Sequence, residues 1–528
     1  MLGAIRRLTL LAGFLFIASL LGGALAQSST PAPLTAQEKR GKQIYLRASS
    51  ASGRPVTAYL GDPPIEVPPS AMTCAGCHGL DGQGKPEGGV VPSNITWESL
   101  AKPYGDVAAS GRKHPRYTER AIELAVTKGL DPAGNRLGTA MPRYDIAAED
   151  LVDLITYLKR VGSDLDPGIS PASLRIGTFI PADGAMAEAG EAAAALLTAY
   201  FDEVNSQGGV YNRRLELRVA RLPKDHAAER VERFIKDEQV FALAASFIAG
   251  SEHAIAALME SEETPLVAPL TLLPETVFPL NRRVFYLYAG LNEQSRILLH
   301  FARQKSRNAA HFAFIAPAEE LNRTLVASVE DESRKLGVSL NRKIEYKTSH
   351  FDAALVARQL SGIEAILFLG SSTEARALLD EADKLGLTFD LFLPGAFAGR
   401  ELFAAPRRFE KHIFLSFPTL PTDQSKLTLL ELSVLAERHQ LSTKHLAVLM
   451  SAFSAARLLV EGLKLSGRDL SREKLITALE GFYKFETGLT PPITYGPNRR
   501  IGAMGAYVVA LELENRGFTP ASDWLALD

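Results

Sequence analysis

Thr73-Cys74-Ala75-Gly76-Cys77-His78-Gly79 is the stretch on which the reading of this chain turns. The 528 residues contain two cysteines, and both lie here, three positions apart. In an exported protein two cysteines ordinarily pair as a disulfide. A His directly after the second cysteine makes a different arrangement, the attachment pattern for a c-type haem. A structural zinc site would need two further ligands, and no second cysteine pair exists to supply them. A thioredoxin-like pair needs no adjacent His and follows a strand. The motif therefore predicts one covalently attached haem c, with Cys74 and Cys77 taking its two vinyl groups and His78 ligating the iron from one face.

The opposite face decides the redox role. A thioether there raises the reduction potential and closes the iron, which suits electron transfer. Met141 lies 63 residues after His78, in Gly138-Thr139-Ala140-Met141-Pro142, and is the only Met between the motif and Gly162. A Met can equally be an apolar gap filler. His114, giving a bis-His iron, and an open or water-bound position are the alternatives; Met72 sits too close to Cys74 to reach the far face. Gly79 with Gly84-Lys85 imitates a phosphate loop, but Pro86 stands where Ser or Thr is required and no strand precedes it.

Around the motif the pattern is helical. Thr35 to Leu46 predicts a first helix with Gly41 and Tyr45 on one face, and residues 49–72 read as a Pro- and Gly-rich loop. Tyr117 to Lys128 predicts a helix stopped by Gly129. Ala148 to Val161 predicts another, with Leu151, Leu154, Ile155 and Leu158 on one stripe and Gly162 at its end. These features resemble the class I cytochromes c, through the Cys74–His78 motif, Met141-Pro142, Gly41 with Tyr45, and the last helix with Tyr157. The resemblance implies an all-α domain over 35–162 in which the first and last helices cross at a small residue. It also implies that Pro92, or a neighbour, accepts a hydrogen bond from the other ring nitrogen of His78.

The N-terminus reads as an export signal. Arg6 and Arg7 precede an apolar run from Leu8 to Leu21, and Ala24-Leu25-Ala26 forms a cleavage site, so residues 1–26 are expected to leave a periplasmic protein cut after Ala26. Apolar content of 46%, charged content of 22% and a net charge of −2 describe ordinary globular protein with no pull toward nucleic acid or anionic membrane. No later stretch reads as a membrane span.

Residues 163–173, with Asp166-Pro167-Gly168 and Pro171, read as a linker. Beyond it, strand and helix alternate through roughly 350 residues, which argues for parallel sheets wrapped by helices. This half, 174–528, resembles the type I periplasmic binding proteins, specifically the branched-chain amino-acid-binding group. The resemblance rests on Leu174-Arg175-Ile176-Gly177, Gln207-Gly208-Gly209-Val210-Tyr211-Asn212, Pro265-Leu266-Val267-Ala268-Pro269, Tyr288-Ala289-Gly290 and Tyr495-Gly496-Pro497-Asn498. It implies two α/β lobes closing on a ligand, with Gly250-Ser251, Leu270-Thr271, Tyr288 and Ser371-Ser372 as pocket positions. Each Ser or Thr among them could instead be a helix cap. Amino-acid binders of that group carry an acid near Leu393-Pro394-Gly395-Ala396-Phe397, and here there is none; the region around Leu321 is aliphatic as well. An apolar or aromatic organic ligand, or a lost ligand site, is expected over an α-amino acid, since an unpaired ammonium is costly to bury.

The expected function is an exported one-electron carrier joined to a module that senses a small solute or docks a redox partner such as a periplasmic dehydrogenase or terminal oxidase. The alternatives are a transporter's substrate-binding protein with an accessory haem, and a peroxidase-like haem enzyme. No acid–base constellation beside the motif supports the last, and no enzyme activity is expected.

Overall fold

The structure, a computed structural model, describes residues 34–528 except 85, 87–88, 109–110, 224, 277, 306–310, 319, 348–349, 469 and 528, and the side chains of 320–323. The expected export signal and the side chain of Leu321 lie outside what is described. The chain divides into two compact units, Met1–Leu165 and Asp166–Asp528.

The first unit opens with α1 (Ala36–Arg47), begun by a capping box in which Thr35 and Glu38 satisfy each other's backbone N–H groups. Two strands follow, β1 (Thr57–Leu60) and β2 (Ile65–Val67), then the motif helix α2 (Cys74–His78) and α3 (Trp97–Leu100). Short strands β3 (Asp106–Val107) and β4 (Lys113–His114) pair, α4 (Glu119–Lys128) ends on Gly129 in the left-handed region, and β5 (Arg143–Asp145) leads to α5 (Ala148–Leu158). The unit is thus not all-α. The segment expected as a loop contains β1 and β2, which pair antiparallel, and β5 adds to β1 from 84 to 88 residues away, giving the order β2-β1-β5. Ala58 of β1 is fully buried, so the small sheet belongs to the core. The last helix stops at Leu158, three residues before the expected Val161.

Helices α1 and α5 cross as the resemblance implied. A Cβ on Gly41 would lie 2.0 Å from the Asp153 carbonyl oxygen, so no other residue permits this approach. Tyr45 packs on Tyr157 with ring centroids 5.6 Å apart. A core of Ile44, Tyr45, Leu151, Leu154, Ile155 and Leu158 fills the space around the crossing.

The second unit begins inside the expected linker: Ile169 is buried, and Asp166 accepts a 2.6 Å hydrogen bond from the Arg472 backbone. Alternation then runs β6 (Ser173–Pro181), α6 (Ala187–Ser206), β7 (Arg214–Leu222), α7 (Ala227–Glu238), β8 (Ala242–Ala244), α8 (Glu252–Ser261), β9 (Leu266–Val267) and β10 (Val284–Tyr288). It continues as α9 (Leu291–Lys305), β11 (Phe312–Pro317), α10 (Glu320–Leu336), β12 (Leu340–Tyr346), α11 (Ala353–Arg358), β13 (Ala365–Phe368), α12 (Ser372–Lys384), β14 (Asp390–Pro394) and β15 (Ile413–Phe417). Helices α13 (Lys426–Arg438), α14 (Leu446–Leu465) and α15 (Arg472–Glu480) precede β16 (Ile501–Ala503), β17 (Gly505–Glu512), β18 (Gly517–Pro520) and β19 (Leu525–Ala526).

Two sheets result. One has six strands in the order β16-β10-β9-β8-β6-β7; the other has eight, running β12-β11-β13-β14-β15-β17-β18 with β19 on β17. The six-stranded sheet is parallel throughout. In β13, Ile366 and Phe368 join one apolar cluster with α11 and α12, while Ala365 and Leu367 join another with α9 and α10. Strands buried on both faces in this way read as continuous apolar runs. The chain passes between the sheets three times, after β10, after β15 and at Met504 between β16 and β17.

One expectation needs correcting here. Leu446–Leu465 is long and apolar enough to cross a membrane by length and composition. In the fold it is a core helix, with Leu449, Phe453, Ala456, Leu459 and Leu463 buried in the cluster it shares with α6 and α15.

Candidate functional site

In the first unit one cavity of about 460 Å³ collects most of the residues singled out from sequence: Cys74, Cys77, His78, Pro92, His114 and Met141, with Met72 on its wall too. Its volume suits a small-molecule or cofactor site. Leu100, Ile122, Val126, Leu154 and Leu158 supply the apolar lining.

Local chemistry explains the placement. Thr73 starts α2 by accepting the Gly76 N–H at 3.1 Å, which turns the two thiols and the imidazole through one and a half helical turns. Gly79 stops it at φ +78°, and the Tyr45 hydroxyl donates to the Gly79 carbonyl at 2.6 Å, tying the motif to α1. His78 Nδ1 donates to the Ser93 carbonyl at 2.9 Å, so the contact expected of Pro92 falls one residue later. Pro92 instead lies against Gly84, where a Cβ would meet its carbonyl oxygen at 2.3 Å. With Nδ1 committed, the lone pair of Nε2 remains for a metal. Burial holds the His78 imidazole below its ordinary pKa, which favours the neutral, ligating form. Burial also pushes the Cys74 thiol up to about 12.

The Met141 side is fixed by groups the sequence did not single out. The Arg143 guanidinium donates to the carbonyls of Met141 and, at 3.1 Å, of Leu137, so it clamps the loop from both ends. Pro142 is buried, and the Tyr144 hydroxyl donates to the Met72 carbonyl, joining this loop to the motif's approach. His114 also lines the cavity; its Nδ1 donates to the Pro115 carbonyl at 2.9 Å and its ring meets Tyr117 edge-on at 5.0 Å. Arg112 reaches Asp131 at 2.8 Å, and Asp131 is 3% exposed. Burial alone would raise that carboxyl, but hydrogen bonds from Asn135 and Ala133 and the Arg112 charge hold it below the usual range.

The residues present fit a haem c. Two unbonded thiols and an imidazole with one nitrogen committed line a sizeable apolar cavity whose lining also includes Met141.

In the second unit the four solute-site candidates all follow the carboxyl ends of parallel strands, Ser251 after β8, Thr271 after β9, Tyr288 at the end of β10 and Ser371 after β13. Their side chains are not equally available. Ser371 caps α12 in a reciprocal box with Glu374 and is exposed. Thr271 gives its hydroxyl proton to Glu252 at 2.6 Å. Ser251 precedes α8 without a side-chain cap bond, and Tyr288 is half-buried. Ser371→Ala is expected to cost about 1 kcal/mol of stability in denaturant unfolding and to leave ligand affinity unchanged in calorimetry. Glu252 was not singled out, although it adjoins Ser251; its role depends on a partner 19 residues on.

The cytochrome c family model matches residues 70–162, and the periplasmic binding protein model matches residues 173–517. No curated relative matches the chain. Among solved structures, a fatty acid transporter substrate-binding protein from Thermomonospora curvata is similar at 16% identity and a TM-score of 0.53, over 69% of this chain and 95% of that one. A branched-chain amino acid transporter protein from Thermus thermophilus with bound valine gives 16% and 0.54, over 67% and 97%. A periplasmic binding protein type 1 from Bordetella pertussis gives 14% and 0.52, over 66% and 100%. At these identities the likeness is one of fold.

Proposed function

The chain belongs to the periplasmic binding protein family and carries a cytochrome c domain before that module, and on this premise we propose that it is an exported one-electron carrier coupled to a small-solute-binding module. The observation that carries the electron-transfer half is the single cavity lined by Cys74, Cys77, His78 and Met141. Covalent haem c supplies a one-electron couple there. Cys74 and Cys77 would hold it, and His78, oriented by the Ser93 carbonyl, would ligate its iron. Met141, in the loop clamped by Arg143, would supply the second ligand. Met141 is favoured over His114 because its backbone is held from both sides of the loop, while the His114 ring is engaged edge-on with Tyr117.

The second half of the proposal rests on topology. The six- and eight-stranded sheets, joined by three passages of the chain, are the two lobes of a cleft that closes by hinge motion. Both candidate loop sets stand at the carboxyl ends of parallel strands, where open α/β sheets bind ligands. The solute is a small organic molecule other than an α-amino acid, and the redox partner is a periplasmic dehydrogenase or oxidase. No catalytic role is assigned.

Purified full-length protein tests this directly. One haem should remain attached after denaturation, the oxidised form should show the thioether–iron charge-transfer band, and the reduced form should bind carbon monoxide slowly. Rapid carbon monoxide binding, or absence of the band, would overturn the electron-carrier reading.

A further inference from the structure

We propose that the carboxyl edge of the six-stranded sheet binds the ammonium group of an organic amine between the Glu252 and Glu275 carboxylates. The proposal rests on the solute-binding reading above and deepens it by naming the ligand's charge.

The place is set by topology. The chain adds β7 on one side of β6 and β8 on the other, so strand order reverses beside β8, and ligands enter open parallel sheets at such a reversal. Glu252 is the first residue of α8, directly past that strand. Its Oε2 accepts the Gly250 N–H at 2.9 Å and its Oε1 accepts the Thr271 hydroxyl at 2.6 Å. Thr271 Oγ1 in turn accepts the Leu273 N–H at 2.9 Å. Every one of these donors is neutral. Among the described residues no cationic side chain lies within ion-pair distance of Glu252. An ionised carboxylate offers about four acceptor positions, so roughly two remain open.

Glu275, four residues past Thr271, is largely buried; its Oε1 meets His253 Nδ1 at 2.6 Å, and that imidazole is 90% exposed. The second, independent observation is Tyr286 in β10. It is 2% exposed, and its hydroxyl makes no well-formed hydrogen bond, although it lies against the Glu275 backbone and in the field of both carboxylates. A buried hydroxyl without a full partner costs free energy that a donating ligand would recover.

The charge balance selects the ligand. The helix N-terminus contributes about half a positive charge, and a protonated His253 at most one more. Two carboxylates outweigh both. The hydroxyl best placed to hold an anion, that of Thr271, has already given its proton to Glu252. The charged groups left at this edge are the two carboxylates, and carboxylates bind a cation. An amine without a carboxylate fits this edge, whereas a carboxylate meets repulsion from Glu252 and Glu275.

The test is calorimetry on the full haem-loaded chain with three probes of one shape: 3-methylbutylamine, 4-methylpentanoate and L-leucine. The amine should bind, the acid should not, and leucine should bind at least tenfold more weakly than the amine. Glu252→Gln keeps an acceptor for Thr271 and should weaken amine binding at least tenfold with the unfolding transition unmoved; Glu275→Gln should act in the same direction. Acid or leucine binding as tight as the amine's overturns the cation assignment and leaves the solute-binding reading standing. So does amine affinity unchanged in both variants. If none of the three binds, the assignment fails, and mass analysis of co-purified small molecules decides separately whether the module holds a solute.

Discussion

Met141→His is expected to lower the midpoint potential of the haem by on the order of 0.1–0.3 V, a fraction of the ~0.8 V over which axial ligands set haem potentials. The thioether is a weak donor that favours the reduced iron, and an imidazole favours the oxidised iron. The exchange is conservative in every other respect. The Met141 carbonyl still accepts from Arg143, Pro142 stays buried, and the cavity loses little volume. The charge-transfer band should vanish together with the fall in potential. An unchanged potential, with no thioether–iron band in either protein, would place another group on the iron, and His114→Ala would then identify it. Because His114 lines the same cavity, the two substitutions read out opposite assignments.

The second large effect is on stability. Gly41→Val should destabilise the haem-bearing unit by about 3 kcal/mol or more, the upper end of the cost of overpacking, lowering its melting temperature by roughly 10 °C. The clash is with backbone: the first added carbon would lie 2.0 Å from the Asp153 carbonyl oxygen and 2.7 Å from Tyr157 Cβ. No rotamer change relieves that contact. Helices α1 and α5 would have to separate, which would also loosen the Tyr45–Tyr157 pair and the Tyr45 bond to Gly79. Scanning calorimetry should show the shift in one transition while that of the Asp166–Asp528 unit stays in place. A shift of both, or of neither, would count against the helix crossing as the weak point.

Residues close together in sequence were the most legible. The haem motif lies within five positions, and its chemistry needs only that spacing. Met141 could be picked out because one thioether lies in the right interval. The contact to His78, expected at Pro92 or a neighbour, falls on the neighbour Ser93, because it depends on how the loop from Gly79 to Ser93 folds, which spacing does not determine. The sheet β2-β1-β5 escaped because its strands are three or four residues long and the β1–β5 pairing spans 84 to 88 positions. Ser371 and Thr271 looked available, but each spends its hydroxyl on a glutamate, Glu374 or Glu252, whose position only the folded chain sets. The span-like length and composition of Leu446–Leu465 were passed over, although a helix buried among helices is as apolar as one in lipid.

The lone residue Met504 between β16 and β17 has a consequence for assembly. Ile501–Ala503 is an edge strand of the six-stranded sheet, yet it follows the whole parallel part of the other sheet in sequence. An exported chain crosses the membrane in sequence order, and domains generally fold as units as they emerge. The haem-bearing unit is one uninterrupted stretch and can be finished early. Neither sheet of the second unit can be finished until about residue 503 arrives, so both must close almost together, with unpaired edges exposed while they wait. A chain cut after residue 498 would therefore leave the cytochrome intact and deprive both sheets at once.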